Sequence, residues 1–311
     1  MSNYGKNGNL WSSFILMLLL MIMKIRFQKL SVPLFMMLFL SLMGTPARAA
    51  IYTFAPLPME EPETVLRQYK PLLAHLERET GHRFHIVYNR DYAELLRKFR
   101  DGEVDLAYLG PLPYVVLKTA YPAAAPIVNF REKSGKAKYT CALFTAGEVN
   151  PKPISGKARI ALTQPLSTCG YLAADALLAQ QRIDIEQLRY RYLGKHDEAV
   201  LSVVRGEFDW GAAKTSIVSR YQNLGVRIIK ETPELPAFSL VANGARMPQA
   251  DVDAIRKSLL KLRPLTNQED ANYTANWGEN VRYGVTSATE ADFDPVRKMR
   301  KNMRIPDQGN F

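Results

Sequence analysis

The chain has 311 residues, of which 47% are hydrophobic, 23% charged and 10% aromatic, the balance of a globular protein with a substantial core. The formal net charge is +11, but residues 1–49 hold five basic residues and no acid, so the rest of the chain carries an excess of only +6. Basic and acidic residues are interspersed there, which argues against a nucleic-acid partner. Two cysteines and no cluster with metal-ligand spacing argue against a disulfide scaffold or a zinc site, and we expect no cofactor.

Residues 1–49 have the pattern of a secretory signal. The basic stretch 24–29 is followed by an apolar stretch, 30–43, and by an A-x-A site that predicts cleavage near Ala49 or Ala50. The alternative, a membrane anchor, requires about 20 apolar residues, more than this stretch provides. The sequence therefore predicts export to the bacterial periplasm.

A second apolar stretch, 11–23, lies upstream of the basic cluster, which an ordinary signal sequence does not have. We therefore expect translation to begin at Met21 or Met23.

From Ile51 onward, short apolar runs alternate with amphipathic helical stretches, which predicts an α/β architecture with a mostly parallel sheet. As far as residue 130, strands and helices alternate. The predicted strands are 51–57, 84–88, 104–110 and 127–130, and the predicted helices are 62–80, 92–102 and one that begins at Pro113.

A polar stretch, 131–138, is the best candidate for a crossing between domains, and Pro233 with Pro236 marks a second crossing. Between them lie predicted strands at 140–146, 158–163, 189–194, 208–213 and 226–231, with helices from Thr168 and at 196–206. The remainder is helix-rich, at 248–263, 267–277 and 289–301.

Two crossings predict two interleaved lobes. Lobe one consists of residues 51–132 and 237–311, and lobe two of residues 133–236. The last seven residues, 305–311, give no indication of their own.

The segment 163–170 joins a predicted strand to a predicted helix and carries the hydroxyl residues Ser167 and Thr168. Hydroxyl side chains beside the unpaired amides of a helix N-terminus form a site suited to a tetrahedral oxyanion. Taken alone, the segment is more simply explained as helix capping by Ser167 or Thr168.

Three further segments accompany this loop in the order that one family shows: 66–81 (LRQYKPLLAHLERETG), 103–114 (EVDLAYLGPLPY) and 194–213 (GKHDEAVLSVVRGEFDWGAA). With them, the chain resembles the substrate-binding proteins of phosphate/phosphite/phosphonate-type ABC transporters, a branch of the type 2 periplasmic binding proteins. The resemblance covers essentially all of residues 51–300. It implies a fold of two α/β lobes that close over a ligand and deliver it to a membrane permease.

The resemblance also implies site residues. The family's Ser-Thr-Ser-Gly loop is matched by residues 167–170, and its Gly-x-His-Asp motif by residues 194–197. His196 is therefore expected to donate to the same oxyanion as Ser167 and Thr168. The implied partners are a small anionic ligand of the phosphonate, phosphite or phosphate class and an inner-membrane ABC permease, with the protein a monomer and not an enzyme.

Three departures from the family pattern affect the ligand. Cys169 replaces a serine, and a thiol is the weaker donor. Leu109 stands where the family often has an aromatic residue, which leaves Tyr108 and Tyr114 as weaker candidates. Lys214 follows a lobe-two strand and is expected to attract an anion and repel an ammonium group; a solvated lysine is the alternative.

The expected ligand-binding set is Ser167, Thr168, Cys169 and His196, with Lys214, Thr215, Tyr108 and Tyr114 as weaker members. No metal ligand and no covalent step are expected.

Two alternative functions would use the same fold or some of the same residues. A binding protein of the same fold could signal to a membrane sensor kinase, and a remote alternative is an enzyme that uses Cys169 as nucleophile and His196 as base. The compartment permits a disulfide between Cys141 and Cys169. We nevertheless expect both thiols to be free, because a cross-link would strain the site loop.

Overall fold

The computed structural model describes residue 17, residues 49–147, residue 154, residues 158–301 and residues 303–311. The predicted signal, apart from Met17 and Ala49, and the predicted translation starts lie outside the described residues. Among the described helices, none has the length and apolar character needed to cross a membrane.

Strands and helices alternate through most of the described chain. The strands are β1 (Ile51–Pro56), β2 (Arg83–Ile86), β3 (Leu106–Leu109), β4 (Ala124–Phe130), β5 (Lys138–Tyr139), β6 (Cys141–Ala146), β7 (Arg159–Leu162), β8 (Arg189–Tyr192), β9 (Trp210–Lys214), β10 (Val226–Glu231), β11 (Leu235–Pro236), β12 (Ser239–Asn243) and β13 (Val285–Ser287). The α-helices are α1 (Pro62–Thr80), α2 (Tyr92–Arg100), α3 (Pro111–Ala120), α4 (Ala173–Ala179), α5 (His196–Val204), α6 (Thr215–Val218), α7 (Gln249–Lys261), α8 (Gln268–Thr274) and α9 (Asp294–Arg300).

Local sequence signals explain the helix ends nearest the site. Helix α1 begins at a proline and ends at Gly81, whose positive φ of 73° lets its amide donate back to the Glu77 carbonyl. Helix α2 begins after Asp91, whose side chain accepts from the Glu94 amide. Pro71 lies inside α1 without ending it.

The strands form two separate sheets and one ribbon. The first sheet has the order β13-β4-β12-β3-β1-β2, and the second has the order β10-β6-β9-β7-β8. A two-stranded ribbon, β5 with β11, lies where the chain passes from one sheet to the other and back. The predicted α/β fold of two lobes with two crossings is confirmed, while the exact lobe boundaries stay a prediction.

The prediction of a mostly parallel sheet is wrong. Parallel pairing is limited to β1 with β2 and β3, and to β7 with β8 and β9. The strand that enters each sheet after a crossing, β12 in the first and β6 in the second, runs antiparallel to both its neighbours. The direction of the returning strand follows from the crossing, which no local pattern encodes.

Apolar side chains cover both faces of the second sheet, because alternate residues of a strand point to opposite faces. Along β6, Leu143 belongs to the core on one face and Phe144 to the core on the other. The first sheet has a larger core, which includes Phe54, Leu106 and Val128 and also takes in Cys169 and Leu172 of the second half. The largest core is therefore shared across the boundary between the two halves.

The C-terminal tail contacts the second sheet. The Asn310 amide donates to the Tyr190 carbonyl (3.0 Å), and the Tyr190 amide donates to the Asn310 side chain (2.8 Å). The ring of Phe311 lies 6.0 Å from that of Phe208. A segment that gave no signal in the sequence therefore extends the edge at β8.

Candidate functional site

The loop after β7 places two hydroxyl side chains at one end of the second sheet. It turns back through a hydrogen bond from the Ser167 amide to the Gln164 carbonyl (3.0 Å) and enters a π-helical turn, Thr168–Leu172, that is kinked at Gly170 (φ −88°, ψ −125°) and leads into α4. Ser167 and Thr168 are 3% and 4% exposed. The regular helix therefore begins later than predicted, at Ala173, and the two hydroxyls lie at the start of the kinked turn before it.

Gly170 allows this loop to pack tightly. A Cβ at this position would lie 2.7 Å from the Gln164 carbonyl oxygen and 3.0 Å from Thr163 Oγ1. The first distance is too short for any side chain, and the neighbouring atom is backbone that cannot move aside cheaply. The loop geometry therefore depends on glycine at this position.

A disulfide joins the loop to the second sheet. Cys141 begins β6, Cys169 lies in the π-helical turn, and their Cα atoms are 5.1 Å apart, within the span of ordinary disulfides. The expectation of two free thiols is therefore wrong: the fold brings the loop against β6 at a normal bridging distance. Cys169 has no thiol proton to donate, so its expected role as a hydrogen-bond donor through sulfur is also corrected.

His196 begins α5 and faces the same loop. Its Nδ1 accepts from the Lys214 amide (3.2 Å), which fixes the ring proton on Nε2 in the neutral form. Nε2 lies 3.5 Å from Ser167 Oγ, a long contact that leaves both groups able to bind a third. Burial, with the positive charges of Lys214 and Arg220, lowers the pKa of His196 to about 3. At neutral pH the ring is an uncharged N–H donor.

Lys214, the last residue of β9, is 4% exposed, so the alternative of a solvated lysine is wrong. Its Nζ lies 2.7 Å from Glu132 Oε1 and 5.3 and 5.5 Å from the ring centres of Phe238 and Tyr139. The charge of Lys214 is therefore paired with a carboxylate and flanked by two aromatic rings.

A cavity of about 10 Å³, room for about one water molecule, lies among these groups. Residues associated with both sheets line it: Leu57, Tyr92, Gly110, Pro113, Tyr139, Ser167, Thr168, Cys169, His196, Lys214 and Phe238. We call this the inner cavity. An open groove of about 800 Å³ elsewhere includes Asn129, Lys136 and Glu234 but none of the predicted site residues, so volume alone does not identify the site.

Direct contacts hold the two halves together around the inner cavity. The Leu112 amide donates to Thr168 Oγ1 (3.0 Å), and the Gln164 side chain accepts from the Tyr92 amide (3.2 Å) and donates to the Pro58 carbonyl (3.3 Å). Lys195 and Glu61 form an ion pair across the same boundary. This is a closed arrangement of the two halves.

Five of the eight predicted site residues line the inner cavity, and three do not. Thr215 bonds Thr140 instead (2.8 Å). Tyr108 is buried behind the cavity wall, stacked on Phe238 at 5.2 Å. Tyr114 is bonded elsewhere, since its hydroxyl donates to Glu290. These three residues are close in sequence to residues that line the inner cavity, but they do not line it themselves.

The aromatic wall comes from residues that the sequence analysis did not single out. Tyr92 begins α2, while Tyr139 and Phe238 belong to or follow the ribbon of β5 and β11. A signal did exist, because an aromatic residue stands next to each predicted crossing, and both crossings run past the boundary between the lobes. The sequence analysis did not single out Glu132 either, although it lies in the first predicted crossing.

The described residues contain no group of three or more histidine, cysteine or acidic side chains able to hold a metal ion. The inner cavity instead collects hydroxyls, an imidazole N–H and a paired ammonium. Two sheets joined by a double crossing, with neutral donors gathered between them, define a two-lobe binding protein of the periplasmic type.

Comparison with known proteins identifies the family. The family described as "ABC transporter, phosphonate, periplasmic substrate-binding protein" matches residues 54–293, and the chain belongs to it. The phosphate-import protein PhnD of Mycolicibacterium smegmatis is 26% identical over 271 residues, which cover 79% of this chain and 83% of that protein.

Solved structures share the fold. PhnD1 from Prochlorococcus marinus, in complex with methylphosphonate, superposes with a TM-score of 0.69 at 15% identity and covers 81% of this chain and 97% of its own. A binding protein component of an ABC phosphonate transporter from Pseudomonas aeruginosa gives a TM-score of 0.69 at 17% identity, over 81% of this chain and 86% of its own. At these identities the likeness establishes the architecture alone.

Proposed function

We propose that this protein captures a tetrahedral phosphorus oxyanion in the inner cavity and presents it to an ABC permease. The observation that carries the proposal is the tautomer of His196. Because the Lys214 amide occupies Nδ1, the buried ring directs an N–H toward Ser167 at every pH well above 3. A neutral donor that does not titrate suits an anion whose own charge varies with pH.

The residues that carry the donors line one cavity. Ser167 and Thr168 supply hydroxyls, and the amides of the π-helical turn lie beside them. His196 Nε2 approaches from the neighbouring helix α5. An oxyanion with three or four oxygens accepts several such bonds, and bonds to a charged acceptor are the strong ones.

Ligand entry requires the lobes to separate. The inner cavity holds about one water molecule, which is too little for a phosphorus oxyanion, so closure over the ligand must stop short of the arrangement described above. Gln164 and Thr168 contribute contacts to the closed form that the open form lacks. A ligand that bonds both lobes raises the closed population by its difference in affinity for the two forms.

No covalent chemistry is part of the proposal. The sulfur of Cys169 is in a disulfide, which removes the nucleophile that an enzyme mechanism would need. With its pKa lowered to about 3, His196 is a poor general base at neutral pH. The protein is proposed to act in the periplasm with an inner-membrane permease as its partner, in keeping with its family. We also propose that it acts as a monomer.

The test is a thermal-shift screen of residues 50–311, unfolded and refolded to remove carried ligand. The panel holds phosphate, phosphite, methylphosphonate, sulfate and small carboxylates. A ligand at 100 times its Kd stabilises the folded state by about 2.7 kcal/mol. We expect a shift with a phosphorus oxyanion and none with the carboxylates.

Ser167→Ala is the informative variant and Ser134→Ala the matched control, because Ser134 is exposed and outside the inner cavity. Loss of one charge-assisted bond costs about 1.5–3 kcal/mol, or roughly 10- to 100-fold in Kd. The control should bind like the unaltered protein. Equal binding by both variants, or no shift with any phosphorus oxyanion, would refute the proposal.

A further inference from the structure

The ammonium of Lys214 occupies a cage. Glu132 supplies a carboxylate oxygen 2.7 Å from Nζ, and Phe238 and Tyr139 place ring centres at 5.3 and 5.5 Å. A carboxylate with two aromatic faces is an arrangement by which proteins bind cationic amine ligands. Here the cation belongs to the protein itself.

The cage lies between two cavities. On one side is the inner cavity, with Ser167 and His196. On the other is an outer cavity of about 310 Å³, whose lining includes Glu60, Glu132 and Arg220. Lys214 lines both cavities, so this residue lies at the boundary between them.

The position of Lys214 determines which substituents a phosphorus oxyanion in the inner cavity can have. A substituent on phosphorus that extends toward the outer cavity meets the Lys214 side chain. If that substituent ends in an ammonium group, it also meets the like charge of Lys214, and the carboxylate in contact with that charge, Glu132, is already paired.

We propose that the ammonium of Lys214 occupies the place that a ligand ammonium would take. It restricts the site to phosphorus oxyanions without an amino substituent. Removal of the Lys214 side chain exposes a cage for the ammonium of an aminophosphonate. The inference rests on the proposed function, since it takes the oxyanion to sit in the inner cavity. It assigns Lys214, Glu132, Tyr139 and Phe238 to ligand selection.

The backbone and the side chain of Lys214 have separate roles. Its amide holds His196 Nδ1, and that bond does not depend on the side chain. Its Cα is fixed by the pairing of β9 with β6, where Lys214 lies opposite Cys141. A substitution at this residue therefore empties the cage while leaving the donors of the inner cavity in place.

The experiment measures Kd by calorimetry for the unaltered protein and for Lys214→Ala. The probes are phosphate, phosphite, 2-aminoethylphosphonate and propylphosphonate, the last two matched in size and differing in the ammonium. We expect the unaltered protein to bind 2-aminoethylphosphonate at least 100-fold more weakly than its best oxyanion. Lys214→Ala should bind 2-aminoethylphosphonate at least tenfold more tightly than the unaltered protein does, and more tightly than propylphosphonate.

Two further variants make the outcome decisive. Adding Glu132→Gln to Lys214→Ala should abolish the gain for 2-aminoethylphosphonate, because the carboxylate that pairs the ammonium is lost. Lys214→Ser, which offers Glu132 a hydroxyl, serves if the alanine variant does not fold.

The outcomes separate the two proposals. If the unaltered protein binds phosphate or phosphite and neither Lys214 variant gains affinity for 2-aminoethylphosphonate, the cage is refuted and the proposed function stands. An equal gain for propylphosphonate also refutes it, since Lys214 would then act by bulk alone. If the unaltered protein binds no phosphorus oxyanion, the proposed function fails and the inference fails with it.

Discussion

His196→Gln removes a buried group that the folded protein keeps unprotonated. In the folded state the His196 pKa is lowered to about 3, chiefly by burial, whereas an unfolded histidine titrates near 6.5. Because the folded pKa is the lower one, the unfolded state takes up the proton first as the pH falls. Stability that is present above pH 6.5 is therefore lost progressively toward pH 3.

The magnitude follows from the two pKa values. Between pH 7.5 and pH 5.0, protonation of the unfolded histidine lowers the free energy of unfolding by about 2 kcal/mol. The result is insensitive to the folded value: a folded pKa one unit higher would still leave His196 almost wholly neutral at pH 5.0. A folded pKa near 6.5 would give no loss at all.

Urea unfolding of ligand-free protein at the two pH values measures this loss. Other titrating groups, including the remaining histidines, are common to both proteins and cancel in the difference between them. The unaltered protein should lose about 2 kcal/mol more than His196→Gln on going to pH 5.0. If the two proteins lose the same stability within about 0.5 kcal/mol, the ring is protonated in the folded state and its assignment as a neutral donor is wrong.

Replacing both Cys141 and Cys169 by alanine removes a cross-link 28 residues in span and should lower the free energy of unfolding by about 3–4 kcal/mol, measured in urea, whereas a loss below about 1 kcal/mol would contradict a formed disulfide. Gly170→Ala should cost about 1–3 kcal/mol by the same measurement and weaken oxyanion binding, and a neutral result would contradict the close approach to the Gln164 carbonyl. Gln164→Ala should leave more of the liganded protein open, seen as a larger radius of gyration in X-ray scattering, and an unchanged radius would show that its contacts with Pro58 and Tyr92 do not stabilise closure.

Residues that a single local pattern describes were the predictable part of the site. A strand followed by two hydroxyls and a helix marks the loop at Ser167 and Thr168, because strand, turn and cap signals all lie within about ten residues. His196 and Lys214 were found through a family motif and through position after a strand. Their mutual contact, amide to Nδ1, depends on how α5 packs against β9.

The rest of the site depends on pairings between distant parts of the chain. Tyr139 reaches the cavity because β5 pairs with β11, where Leu235 lies opposite Tyr139. Strands of two residues show no periodicity from which they could be predicted. The disulfide is a similar case. Cys141 and Cys169 come together only because the loop folds back over β6, and the sequence offered no measure of that distance.

Under the proposed function, the charges around the inner cavity allow an anion to bind there and still be released. Lys214 is paired with Glu132, Arg220 with Asp197 (3.1 Å), and His196 is neutral, so no unpaired full charge among these groups faces the cavity. A buried, unpaired cation would hold an oxyanion strongly in this low-dielectric setting and would itself be costly to bury. Hydroxyls, amides and one imidazole N–H instead offer several bonds that break one at a time as the lobes separate. Because Thr168 and Gln164 also bond the opposite lobe, opening weakens the ligand's surroundings and the contacts between the lobes together, which couples release to the movement that a permease would drive.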